Sequence, residues 1–113
     1  MPTFTLQRAG AKHLRFAGEL LAEATSQDAT SIRWTDLALH RTAANIYVVS
    51  AIGRTTREGE TERHAAYVCE APQRVLKALH RSDGNLTNLA KQLLEDAGNV
   101  DPAFVDVLIE EIA

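Results

Sequence analysis

A single cysteine, Cys69, stands in this chain of 113 residues, so no disulfide can close within it. Its neighbours Val68 and Glu70 form no CxxC-type pair, which removes the commonest thiolate metal sites. A lone cysteine in this setting is expected to pack as a small apolar residue. Glycine (6) and proline (3) are few, and no tract rich in them or in serine divides the chain. With no repeat either, a single domain over residues 1–113 is expected. No apolar run approaches the roughly 20 residues of a membrane span. The opening Met-Pro-Thr-Phe lacks the basic and apolar parts of a secretion signal. A cytoplasmic protein with no membrane partner is the expectation.

Positive charge is also short. Twelve Lys and Arg against fifteen Asp and Glu leave a formal charge of −3. That balance counts against bulk attraction to nucleic acid, though a local basic patch remains open. The four histidines, His13, His40, His64 and His80, form no HxH, HxxxH or HExxH spacing. Ser50 sits in no GxSxG elbow, and no GxxxxGK or GxGxxG turn is present. No metal and no cofactor are therefore expected, and nothing asks for an enzyme. Asp36, His40 and His64 could share one face of a sheet, and that is the whole case for catalysis.

What is present is a change of character near Pro72. Before it the punctuation suits strands, and after it the apolar spacing suits helices. "RWTDLALHR" is followed by Thr42-Ala43-Ala44-Asn45 and then by "IYVVSAIGRT". Asn45 tolerates a left-handed backbone and a β-rich run resumes at once, which predicts a hairpin. Gly59 in "REGE" supplies a second reversal, and "ERHAAYVC" returns as the next strand. Residues 13–26, "HLRFAGELLAEATS", carry a helical apolar spacing, yet Gly18 in mid-helix would cost ~1 kcal/mol. A strand is the preferred reading there.

Pro72 suits a first helical position, with Val75, Leu76 and Leu79 as its stripe. Asn85 or Thr87 can cap a second helix through Leu89, Ala90, Leu93, Leu94 and Ala97, closed by Gly98. Asp101-Pro102 starts a predicted third, with Phe104, Val105, Leu108, Ile109 and Ile112 on one side. The fold class predicted is α+β: an antiparallel meander of three to four strands over about residues 1–70. Two to three helices over about residues 71–113 pack on one of its faces.

Register then assigns faces. A first hairpin turning on Ala43-Ala44 and a second on residues 57–60 place Leu37, Leu39, Ile46, Val48, Ile52, Ala65, Tyr67 and Cys69 together under the helices. A three-residue loop would instead swap partners between faces. The opposite face then holds Trp34, lying across from Gly53, with Tyr47, Val49 and Val68. Either residues 4–6 cover that face or it is an apolar patch for a partner or a second copy. The same register lines up Arg33, Arg54 and Arg63 across three strands, with Arg57 in the turn. Nearby glutamates can neutralise them, or they can form an anion site.

Two functions follow. The first is a non-catalytic interaction or regulatory protein, binding a protein or itself through Trp34, Tyr47, Val49 and Val68. By size and charge alone this compares with small inhibitor and immunity proteins of bacteria and their mobile elements. The second is an anion- or nucleic-acid-contacting module using Arg33, Arg54, Arg57 and Arg63, against which the net charge weighs.

Overall fold

A computed structural model describes residues 1–112. It is α+β. Five strands, β1 (Thr3–Leu6), β2 (Leu14–Thr25), β3 (Arg33–Thr42), β4 (Tyr47–Thr55) and β5 (Arg63–Cys69), form one antiparallel sheet in sequence order. Two helices follow, α1 (Pro72–Leu79) and α2 (Asn88–Gly98), then a short 3-10 turn at Pro102–Phe104. The strand count exceeds the three to four expected because Thr3–Leu6 adds β1, pairing with Leu14–Ala17. Residues 14–25 are a strand, as the cost of a mid-helix glycine argued.

The punctuation residues act as their chemistry requires. Asn45 takes φ 60° and Gly59 φ 84°, one in each predicted reversal. Pro72 opens α1, and the Thr87 hydroxyl caps α2 by accepting from the Ala90 N–H at 3.1 Å. Helix α2 lies over β2 and β3, and α1 lies over β4 and β5. Between them and the sheet, Leu39, Val49, Val75, Leu93, Leu94 and Phe104 are fully buried.

The β3–β4 loop has three residues, not two. The Thr42 N–H donates to Ile46 O at 2.7 Å and the Asn45 N–H donates to Thr42 O at 2.9 Å, so residues 43–45 form the loop. Leu39 therefore faces Val49, and Trp34 faces Arg54 rather than Gly53. The second hairpin shifts by one as well, setting Tyr47 against Cys69. Because side chains alternate, these two slips turn β4 over while leaving β3 and β5 in phase. Tyr47, Val49 and Ala51 join Leu37 and Leu39 under the helices. Val48 and Ile52 move to the other face with Trp34, His40 and Val68.

That other face is concave and partly filled. In a straight strand Phe16 would stand about 13 Å from Leu20, which pairs with His40. Yet the Phe16 and His40 rings lie 5.4 Å apart, and Phe4 lies 4.5 Å from His40. Strand β2 must bend. The bend falls at Gly18, where a Cβ would sit 2.3 Å from Arg41 O, and at the bulge between Leu20 and Ala22. The β1–β2 hairpin thus folds back over the concave face until the Ala9 N–H reaches His64 O at 2.9 Å. Residues 4–6 belong to this cover, the first of the two possibilities for that face.

The predicted third helix reduces to the 3-10 turn, with Val105, Ile109 and Ile112 exposed. A short segment rich in β-branched residues gains helix only by packing along its whole length. Here Phe104 and Val107 are buried, and Ile109 and Ile112 have no surface to meet.

Candidate functional site

The predicted partner face does not exist as one surface. Tyr47 and Val49 are core residues, Trp34 is half-buried on the concave side beside Arg54, and of the four only Val68 is exposed there. The cause is the turned-over β4. Tyr47 has a structural role instead: its hydroxyl donates to Asp101 Oδ2 at 3.0 Å, and its ring packs edge-on against Phe104. Arg41 Nη1 meets the same Asp101 oxygen at 2.9 Å and also pairs with Glu19. Burial pushes the Asp101 carboxyl up, but the Ala103 N–H, the Tyr47 hydroxyl and Arg41 outweigh it and hold it below the usual range.

The arginine cluster is likewise divided. Arg33 and Arg63 point to the helix side and Arg54 to the concave side, because Arg54 is paired with Trp34 and Arg63 with Gly53. Arg33 is matched by Glu60 at 2.9 Å, which also lies 3.8 Å from Arg57. Arg54 is held between Asp36 and Glu62. Local carboxylates thus occupy three of the four guanidinium groups, and Arg63 alone has none within bonding distance among the described residues. A neutralised rim is what this geometry offers, not an anion cradle.

Asp36, His40 and His64 do share the concave face. Burial pushes the Asp36 carboxyl up, but hydrogen bonds from Thr25 and Arg54 hold it low. His40 is buried under Phe4 and Phe16, and its Nδ1 has no partner among the described residues. No hydrogen bond joins Asp36, His40, His64 and Ser50 to one another among the described residues. A groove of about 490 Å³ includes Asp36 and Ser50 in its lining, with Glu23, Thr25, Ile52 and Arg54, and its Asp36 and Arg54 are paired with each other. No set of three or more His, Cys, Asp or Glu able to hold a metal occurs among the described residues. Among the described residues no helix is long and apolar enough to cross a membrane.

A different surface collects unmatched chemistry, at the margin where β5 meets α1. A groove of about 460 Å³ is lined by Tyr67, Val68, Cys69, Glu70, Arg74, Lys77 and Ala78. Tyr67 is 50% exposed and Val68 56%. Arg74 and Lys77 lie three apart on the outward face of α1, where their side chains are neighbours. No carboxylate lies within salt-bridge distance of either among the described residues. The Ala9 contact shows that His64 turns its carbonyl outward, so by alternation Val68 does the same. Outside the strand ladder, no hydrogen bond uses the main chain of Val68 among the described residues. Burial pushes the Cys69 thiol up, more than nearby Arg74 lowers it, so this cysteine is packing material.

Sequence reasoning named Val68 but missed Arg74 and Lys77. The signal was the i,i+3 spacing of two cations opposite the apolar stripe of α1. Comparison with protein-family models, curated proteins and solved structures finds no match to this chain.

Proposed function

We propose that this chain is a non-catalytic protein-interaction module that docks a protein partner at the β5–α1 margin. The observation that carries this reading is a sheet edge with half-exposed Tyr67 and Val68 beside two cations, Arg74 and Lys77, that have no ion-pair partner among the described residues. Natural edge strands are usually blunted by lysine, proline or a bulge. Residues 64–69 of β5 contain no lysine and no proline, and the β4–β5 register is unbroken. Surface area supports the same reading. The chain exposes 7604 Å², whereas a compact monomer of 12.4 kDa exposes about 6,100 Å². The excess is larger than the roughly 800 Å² that each partner of a standard complex contributes.

The test is site-specific photo-crosslinking in the cells that express the protein. A photoreactive phenylalanine at Val68 is expected to trap one discrete protein, which is a second copy or another chain. The same probe at Glu58, in the exposed β4–β5 turn, is expected to trap none. Equal, diffuse labelling from both positions would end this reading and return attention to the concave groove.

A further inference from the structure

We infer that the occupant of the β5–α1 groove is residues 109–112 of a second copy of this chain, exchanged reciprocally. This rests on the reading of that margin as a docking surface and adds the identity of what docks. Residues 105–112 read Val-Asp-Val-Leu-Ile-Glu-Glu-Ile, three carboxylates and no cation. Asp106, Glu110 and Glu111 meet no basic group in their own chain at salt-bridge distance among the described residues. Val107 and Leu108 hold the segment against the core, while Ile109 is 60% exposed and Ile112 83%. The groove offers the complement: Arg74 and Lys77 against one carboxylate, Glu70, with the Tyr67 ring and the outward main chain of Val68 along its floor.

Its own chain cannot easily supply this segment. The 3-10 turn packs on α2, over β2 and β3, whereas the groove lies beyond β5. Four residues past Leu108 span about 14 Å fully extended. That equals the three strand spacings from β2 to β5, also about 14 Å, and leaves nothing for the path around two helices. A second copy related by a two-fold axis places each segment at the other's groove and closes the assembly at two. Residues 109–112 can lie extended along β5, where the Val68 main chain offers hydrogen bonds and alternate side chains meet the groove.

Sedimentation equilibrium on the full chain tests this by charge exchange. Wild type is expected to dimerise. The pair Arg74→Glu/Lys77→Glu and the pair Glu110→Lys/Glu111→Lys are each expected to weaken dimerisation at least tenfold. Mixing the two reversed proteins is expected to restore association between them, with circular dichroism confirming that both stay folded. A wild type monomeric to about 1 mM, or a dimer unaffected by Glu110→Lys/Glu111→Lys, overturns the inference. A discrete crosslink from Val68 to a different protein, with no self-association, would overturn it too while leaving the docking surface standing.

Discussion

His40 shows how one residue ties the concave face to solvent pH. Its ring is buried between Phe4 and Phe16, and its Nδ1 finds no partner among the described residues. Burial disfavours the imidazolium, so its pKa falls below the ordinary 6.5. In the unfolded chain it titrates at that ordinary value. Above it both states are neutral and His40 contributes no pH dependence. As pH falls below it, the unfolded chain takes up a proton that the folded chain refuses, and stability drops. The three aspartates with lowered pKa, Asp28, Asp36 and Asp101, lose their stabilisation only at lower pH, below the ordinary carboxyl value of 3.8. The denaturant midpoint should therefore be lower at about pH 5 than at about pH 7.5, and His40→Leu should remove most of that difference. An equal fall in the variant would mean that His40 charges without penalty.

At the level of elements, alternation and caps were legible in the sequence and register was not. Asn45, Gly59, Pro72 and Thr87 each declare a backbone need through their own covalent structure, and each sits where that need arises. Whether a loop holds two residues or three depends on the Thr42–Ile46 bond, which no local composition announces. One residue of error moved Tyr47 and Val49 from the core to a surface that does not exist. The anchor of the last segment was hidden for a related reason, since Arg41, Tyr47 and Asp101 come from distant parts of the chain. Asp101 also caps the 3-10 turn by accepting from the Ala103 N–H at 2.9 Å. Asp101→Ala should cost about 2–4 kcal/mol, from a broken buried pair and a lost cap. Arg54→Ala, at a more exposed pair, should cost under ~1 kcal/mol. Chemical denaturation of the two variants side by side checks the order. Equal losses would show that Asp101 is no anchor.

For the whole molecule the decisive feature is curl. A flat five-stranded sheet with helices on one side would leave its other face bare, the patch that the sequence suggested. Curling at Gly18 lays the β1–β2 hairpin over that face and moves the exposed apolar surface to the β5 margin. The shape remains extended, 50 × 32 × 25 Å with a radius of gyration of 14.5 Å, against about 13.3 Å for a compact chain of this length. Gly18 is the position on which this depends, because a Cβ there meets backbone, the Arg41 carbonyl at 2.3 Å and Thr42 Cα at 2.9 Å. Neither atom can move without separating β2 from β3. Gly18→Ala should therefore cost about 1–3 kcal/mol and unseat the hairpin. The scattering radius of the dilute monomer should rise, and a dye that binds exposed apolar surface should report Phe4 and Phe16. Gly10, at the hairpin's far end, has open space around its Cβ position, so Gly10→Ala carries only local backbone strain at φ 72° and should leave the radius unchanged. If Gly18→Ala melts and scatters like wild type, the curl is set by the Leu20/Ala22 bulge alone.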